Sequence, residues 1–371
     1  MNQNKSTQKV LIGLSGGVDS SVAAALLVKE GYDVTGAYMK QWSDSEEISG
    51  VCSWKEDRRD ALRVAAKLGI PMLTLDFEKE YKDWVMNYMF GEYEQGRTPN
   101  PDVMCNKYIK FGAWLTHAKE QGFDYLATGH YCAITEKDGE YHLTKAKDEN
   151  KDQTYFLHQV GQEELRHMMF PLGGYTKKEV REMAASFDLP TANRPESMGI
   201  CFVGEVPMKE FLEQKISHKP GNIIGPDKHV LGEHDGLTFY TIGQRKIGTT
   251  ASAVTETSKE TEATPAPIKP LYVVEKDFGK NELHVGYEDD PRLHKKEVTL
   301  TDIHFIGRQS PALPLQCKVR TRHRQPLQEA VLTQKKDLYL LTFKNKQRAL
   351  TPGQFAVFYN DTECLGGGVI V

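Results

Sequence analysis

The sequence predicts an α/β protein, with an N-terminal parallel sheet covered by helices, a small central part and a β-rich C-terminal part. Three observations carry this expectation. Short apolar runs alternate with longer helical patterns over the first 130 residues. Each helical pattern there stops at a glycine: Gly31, Gly69 or Gly122. After Gly204 the rhythm gives way to short alternating runs separated by turns. Strands that alternate with helices need crossovers, and crossovers place parallel strands between two helical layers.

In order, residues 10–14 read as the first strand, 20–30 as the first helix and 34–39 as the second strand. Residues 54–68 form the next helical pattern, closed by Gly69 and Pro71, and 72–75 the third strand. A helix over 107–121 and a strand over 125–128 complete the rhythm. Gly after a helix supplies left-handed geometry, and Pro lacks the amide that would prolong it. A further helix is expected at 176–187, then a loop around 194–199, and 237–241 reads as a strand-like piece. Residues 249–270, rich in Thr, Ser, Ala, Glu and Pro, read as a linker or loop. Runs at 272–275, 283–285, 317–320, 338–343, 355–359 and 368–371 predict a small β-barrel or sandwich. The expected domains are 1–204, 205–275 and 276–371.

A chain of 371 residues exceeds what one hydrophobic core organises. With 39% hydrophobic and 26% charged residues it has ordinary globular composition. No apolar run reaches the roughly 18 residues of a membrane span. The polar start, Met1 to Lys9, lacks the apolar core of a secretory signal. A cytoplasmic location without membrane association is therefore expected. The six cysteines are scattered and form no C-x-x-C pair, which argues against zinc, iron–sulfur clusters and a disulfide framework. No stable metal or organic prosthetic group is expected, and thiol chemistry is the use left for them.

The net charge is −4, yet residues 291–350 hold 13 Lys and Arg against 4 Asp and Glu, a local +9 that leaves −13 elsewhere. One basic surface on an acidic protein suits nucleic acid, because phosphate attraction is screened within roughly 10 Å. Arg320, Arg322 and Arg324 alternate, so on a strand all three share one face, suited to phosphate contacts.

Gly13, Leu14, Ser15, Gly16, Gly17, Val18, Asp19 and Ser20 lie between the first strand and the first helix. The glycines admit close approach of an oxyanion, the helix aims free amides at it, and the serines add hydroxyl donors. The Walker pattern is absent, since no lysine stands at the required position. Ser-Gly-Gly-x-Asp-Ser after a strand resembles the PP-loop of the ATP pyrophosphatase superfamily, which implies cleavage of ATP between its α and β phosphates. Asp19 is open to two readings, ligand of the Mg²⁺ that accompanies ATP or helix cap.

Two thiols stand out. Thr98-Pro99-Asn100-Pro101-Asp102-Val103-Met104-Cys105 is a proline-stiffened loop that delivers Cys105 to a helix start, near Lys107. Both surroundings favour thiolate. Asp102 is a candidate acid or base on the same loop. Gly199 and Gly204 bracket a short apolar run carrying Cys201.

These segments closely resemble the bacterial tRNA-specific 2-thiouridylases. The match runs through Gly13–Ser20, Tyr38-Met39-Lys40-Gln41-Trp42, Thr98–Lys107, Thr128-Gly129-His130-Tyr131, residues 151–157, Gly199–Gly204, Gly243-Gln244-Arg245-Lys246 and Thr351-Pro352-Gly353-Gln354, in the family's order. The resemblance implies a PP-loop (adenine nucleotide alpha hydrolase-like) domain, a small central domain and a C-terminal tRNA-binding β-barrel. It implies that residues 13–20, Met39 and Gly129 hold ATP, and that Asn100, Pro101 and Asp102 surround the target base. Cys105 is the implied nucleophile and Cys201 the persulfide carrier, joined transiently as a Cys105–Cys201 disulfide. His130, Lys151, Asp152, Gln153, Arg322, His323 and Gln354 are the implied tRNA contacts. His323 stands where the family usually has an aromatic residue, and 249–270 is longer and poorer in glycine than the family's connection.

The implied reaction is adenylation of the C2 oxygen of wobble uridine 34 and its replacement by persulfide sulfur, giving 2-thiouridine, AMP and pyrophosphate. Adenylation turns a poor leaving group into part of AMP, and a second cysteine resolves the spent carrier. The implied partners are tRNA and a sulfur donor, a cysteine desulfurase or relay protein. A sister activity, such as thiolation of another base or ligation through an adenylate, leaves the cysteine pair without a use. A non-catalytic ATP- or RNA-binding regulator is the alternative outside enzymes.

Overall fold

Strands β1 (Lys9–Gly13), β2 (Asp33–Lys40), β3 (Met72–Asp76), β4 (Tyr125–Ala127), β5 (Cys132–Lys137), β6 (Glu140–Lys145) and β7 (Met168–Met169) arise in that order in the computed structural model. It describes residues 7–40, 53–195, 208–245, 247 and 269–371. The order β3-β2-β1-β4-β7 forms one sheet with every neighbour parallel. Val10, Leu11 and Ile12 are wholly buried, the continuous apolar run that a strand covered on both faces requires. Helix α1 (Val18–Lys29) is buried at every position from Ser20 to Leu27, so it carries no amphipathic stripe. Helix α2 (Ser53–Leu68) follows, and then a helical stretch over 78–94 that passes through a π-helical segment, Lys82–Met86.

The central unit is a four-stranded sheet of β8 (Gly221–Ile224), β9 (Val230–His234), β10 (Tyr272–Asp277) and β11 (Glu282–Gly286), ordered β10-β11-β8-β9. Two expectations are corrected here. The runs at 272–275 and 283–285 pair with the central strands rather than with the barrel, so a boundary after Glu275 would cut β10. Residues Leu237–Phe239 form a 3-10 turn instead of a strand, with Leu237 turned into the central core beside Ile223 and Val285. Nearly all of 249–270 lies outside the described residues.

The C-terminal unit is a closed barrel of six strands, β12 (His294–Phe305), β13 (Leu315–Arg320), β14 (Gln328–Lys335), β15 (Leu338–Arg348), β16 (Phe355–Tyr359) and β17 (Glu363–Ile370). They run β12-β15-β14-β13-β16-β17, and β17 pairs back on β12 through Leu300↔Ile370. Closure removes the free edges that an open sheet would expose. Leu300, Val319, Leu332, Leu341 and Phe358 fill its interior. The N-terminal hairpin β5–β6 adds to the same sheet, with Leu143 opposite Cys364 and Thr144 opposite Glu363. That pairing fixes the barrel against the parallel-sheet unit. No helix among the described residues is long and apolar enough to cross a membrane.

Candidate active site

The C-terminal ends of β1, β2 and β4 bring Leu14 to Gly17, Met39 and Gly129 to one edge of the sheet. In parallel sheets this edge, where the strand order reverses direction, is where ligands sit. The turn out of β1 is held by its own polar groups. The Leu14 amide donates to the Ala37 carbonyl at 2.9 Å. The Ser15 amide donates to Ser20 Oγ at 3.2 Å, and the Gly17 amide to Ser15 Oγ at 3.3 Å. Gly16 adopts φ +78°, and a Cβ there would collide with the Asp57 carbonyl. Arg194 braces the loop from outside: Nη1 donates to the Gly16 carbonyl at 2.7 Å and to Asp60 at 3.0 Å, and Nη2 pairs with Asp57. Burial raises the Asp57 carboxyl while the Arg194 guanidinium opposes that rise. A Cβ on Gly129 would lie 2.7 Å from the Ser20 amide, so the turn after β4 rests directly on the start of α1.

Asp19 is not the cap of α1; Gly17 stands at the cap position without a side-chain bond. The Asp19 carboxylate instead accepts from Lys177 Nζ at 2.7 and 2.9 Å and from the Tyr131 hydroxyl at 2.8 Å. Lys177 opens helix α3 (Lys177–Ser186), where the helix dipole disfavours a cation. The Asp19 carboxylate compensates that cost and holds the ammonium beside the phosphate loop. Lys177 and Arg194 were given no role from sequence, and Tyr131 entered only as the end of the matched 128–131 segment. The one local signal was a lysine placed against the field of a helix start.

Asn100 is the N-cap of the helical stretch over 101–120, its side chain accepting from the Val103 amide at 3.3 Å, with Pro101 at the first helical position. This corrects the expected start at 107. The helix begins at Pro101, so Cys105 lies just past the first turn, its amide already bonded to the Pro101 and Asp102 carbonyls, in a π-helical segment, Cys105–Trp114. Cys105 is wholly buried, in the same apolar cluster as Met39, Val103 and Ile109. Lys107 Nζ donates to Gln159 Oε1 at 3.1 Å and lies 5.2 Å from the Tyr108 ring centre. Cys201 and Gly199 to Gly204 lie outside the described residues, as does the proposed disulfide partner geometry.

The implied tRNA contacts divide into two groups. His130 is buried, its ring 5.9 Å from those of Phe111 and Phe170 and its Nδ1 2.7 Å from Thr128 Oγ1. Burial, aided by Lys110, holds its pKa well below the usual histidine range. Asp152 is buried as well and accepts from Arg320 Nη1 at 2.6 Å and Thr154 Oγ1 at 2.9 Å. Both side chains are buried in this conformation, and the Asp152 carboxylate is satisfied inside the protein. Gln153 Oε1 accepts from the Tyr131 amide at 2.9 Å, and the Lys151 amide closes a turn onto the Asp148 carbonyl. Arg322 Nη2 donates to the Ala349 carbonyl at 2.8 Å. The His323 ring lies 4.6 Å from that of Phe156 at a 42° tilt, and burial pushes its pKa down to about 4.

The three alternating arginines do not share a face. Strand β13 ends at Arg320, whose side chain turns inward to Asp152, and Arg324 lies beyond it at φ +64°. Gln354, on the turn before β16, donates through Nε2 to the carbonyls of Thr98 and Pro99 at 2.9 and 3.0 Å. The Thr98 amide returns a bond to the Pro352 carbonyl at 2.8 Å. The barrel thus grips the segment that leads into Asn100 and Cys105.

Three family models match the chain: a tRNA methyl transferase HUP domain over residues 8–205, a tRNA methyl transferase PRC-barrel domain over 209–287 and an aminomethyltransferase beta-barrel domain over 295–370. The chain is 45% identical over 373 residues to the tRNA-specific 2-thiouridylase MnmA of Alkaliphilus oremlandii (strain OhILAs), covering 100% of this chain and 99% of that one. It is 46% identical over 365 residues to that of Shouchella clausii (strain KSM-K16), covering 98% and 96%. Among solved structures it is similar to a 4-thiouridine synthetase–RNA complex with bound ATP, at a TM-score of 0.35 and 20% identity, over 56% of this chain and 50% of that one. A likeness that distant carries no functional argument.

Proposed function

The chain belongs to the tRNA-specific 2-thiouridylase family, and from that premise we propose that it is an ATP-dependent tRNA-uridine 2-sulfurtransferase of the cytoplasm. The reaction converts wobble uridine 34 to 2-thiouridine with release of AMP and pyrophosphate. The observation that carries this reading is the meeting of the Leu14–Gly17 loop, the start of α1 and the Gly129 turn at one edge of the sheet. Backbone amides, the hydroxyls of Ser15 and Ser20 and the Lys177 ammonium converge there to form a cradle, whose turn at Gly16 packs too closely on Asp57 to admit a Cβ.

Triphosphate is the ligand such a cradle fits, since amides at a helix start bind oxyanions and a cation at the rim neutralises their charge. Residues 13–20, Met39 and Gly129 would hold ATP. The carboxylate of Asp19 is the hard oxygen donor that Mg²⁺ prefers, and the ion would screen the phosphates. Asn100, Pro101 and Asp102 would surround the uracil, with Asp102 the proposed acid or base.

In the first step the uridine C2 oxygen attacks the α-phosphorus, the α–β phosphoanhydride breaks, and pyrophosphate leaves with its electron pair. The second step forms a C2–S bond and breaks the C2–O bond, so that AMP departs with the original oxygen. Terminal sulfur of a Cys201 persulfide is the proposed source, loaded by a cysteine desulfurase or a relay protein. Either the persulfide attacks C2 and Cys105 then cleaves the S–S bond, or Cys105 first displaces hydrosulfide, which attacks C2. Both routes end in a Cys105–Cys201 disulfide that an external thiol reduces by two electrons. Lys151, Gln153, Arg322 and His323 are the proposed tRNA contacts that remain, along with Gln354 through the loop it holds.

Cys105→Ser and Cys201→Ser test the thiol assignments. Each is expected to abolish 2-thiouridine formation while tRNA binding and ATP binding persist. Full thiolation by either variant removes that cysteine from the mechanism. Free sulfide released during turnover selects the second route, and its absence selects the first.

A further inference from the structure

Lys276, on β10 of the central sheet, is a half-buried cation used in an unusual way. Its Nζ donates to the carbonyl of Gly96 in the N-terminal unit at 2.6 Å and to that of Tyr240 in the central unit at 2.8 Å. No carboxylate pairs with it among the described residues. Burial pulls its pKa down from the usual lysine value to about 8. An ammonium drawn partly out of water and given only neutral acceptors carries a desolvation cost, which a methionine of similar reach would avoid. What methionine lacks is a donor that fixes two carbonyls from two domains at hydrogen-bond distance.

The segment that Lys276 holds leads straight to the reacting groups. Gly96 sits at φ +74°, and a Cβ there would run into the Phe278 ring, so the central unit shapes this turn by contact as well as by hydrogen bond. Two residues on, Thr98 Oγ1 lies 3.1 Å from Thr241 Oγ1, again in the central unit. Thr241 is itself fixed, its amide donating to Gln244 Oε1 at 3.0 Å. Next come the barrel's bonds from Gln354 to Thr98 and Pro99, and then Asn100, the cap that starts the Cys105 helix. Each residue from Gly96 to Pro99 thus has at least one backbone group held by a hydrogen bond.

We infer that Lys276 is a positioning residue for thiolation: it fixes the register of the 96–100 segment, and through it Asn100 to Cys105, from the central domain while Gln354 does so from the barrel. The inference rests on the thiolation reading. Lys276 touches neither substrate in this scheme. Its loss displaces the target-base loop and the nucleophile relative to the adenylated uridine, a misplacement that slows chemistry rather than binding.

The test is turnover of the full-length enzyme with ATP, transcribed tRNA and a persulfide donor, comparing wild type, K276M, K276R and the K276M/Q354A double variant. K276M is expected to lower kcat by about tenfold or more with KM for ATP and tRNA held within about twofold. K276R, which keeps the charge and the donors, is expected to recover part of that loss. Because both residues hold one segment, the double variant is expected to lose less than the product of the single losses. Unchanged kcat in K276M, a loss confined to KM, or strictly multiplicative effects would overturn the inference. Should K276M fail to fold by circular dichroism, Thr241→Val reads the same segment: lowered kcat at constant KM supports the assignment, and wild-type kcat overturns it. Failure of the thiolation reading is separately visible, as absence of product from the wild-type enzyme.

Discussion

Arg320 and Asp152 form a buried ion pair between the barrel and the N-terminal unit, with Nη1 2.6 Å from Oδ2. Thr154 Oγ1 donates to both carboxylate oxygens, and the guanidinium lies 5.3 Å from the Tyr359 ring centre. The pair lies beside the seam where β6 meets β17, so it joins the same two units as that strand pairing. Removing one partner strands the other charge away from water, and D152A is expected to destabilise the fold by about 3–5 kcal/mol. Urea unfolding followed by fluorescence measures this. A D152A/R320A double variant less destabilised than the sum of the singles is the expected companion result; near-neutral D152A contradicts the assignment.

Lys177 should matter to ATP more than to folding. Replacing it by methionine removes a cation at the rim of the phosphate cradle and leaves the Asp19 carboxylate facing the incoming triphosphate. Hydrogen bonds to charged groups contribute about 1.5–3 kcal/mol, which converts to about 10- to 150-fold weaker ATP binding. Titration calorimetry on K177M reads the change directly. ATP affinity equal to wild type would mean that Lys177 serves only the helix start.

Among the described residues, the thiols outside the proposed mechanism should be inert. Burial pushes Cys317 up to about 12 and drives Cys132 and Cys364 upward too, so none holds appreciable thiolate near pH 8. Iodoacetamide treatment of folded protein at that pH, followed by peptide mass mapping, should leave all three unmodified. Rapid labelling of Cys132 or Cys364 in protein that stays folded would contradict the burial described.

Acid should unfold the protein through its histidines before the carboxylates titrate. Burial lowers His158 to about 3 and His323 to about 4, and holds His130 well below its ordinary value. The unfolded chain protonates these rings near 6.5 and so binds more protons than the folded one between that pH and the folded values. Stability present above pH 6.5 is therefore lost as pH falls through that window. Melting temperature measured from pH 7 to pH 4 should drop, and H323F should flatten part of the decline. An H323F curve parallel to wild type would exclude His323 as a contributor.

The parallel sheet and the phosphate loop were legible because their determinants are local. Apolar runs, terminal glycines and Gly16-Gly17 before a helix each encode backbone geometry within a few residues. The start of the Cys105 helix was misplaced because Asn100-Pro101 reads equally as a stiff turn and as a cap followed by the first helical residue. The arginine triplet failed for a different reason. Alternation fixes a common face only while the strand continues, and the acceptor that draws Arg320 inward lies 168 positions away. Lys177, Arg194 and Lys276 act across such distances as well, which no reading of neighbours supplies. The central strands were drawn into the barrel because alternation gives strands without giving their partners.

The central claim is that ATP cleavage at the α-phosphorus and sulfur insertion at C2 are one coupled event at the Leu14–Gly17 loop. The most direct measurement is nucleoside mass spectrometry of tRNA together with AMP quantitation, using wild-type protein, ATP and a persulfide donor. One 2-thiouridine at the wobble position per AMP formed is the predicted result. Thiolation that proceeds without ATP, or AMP release with no sulfur gained at that uridine, would contradict the account.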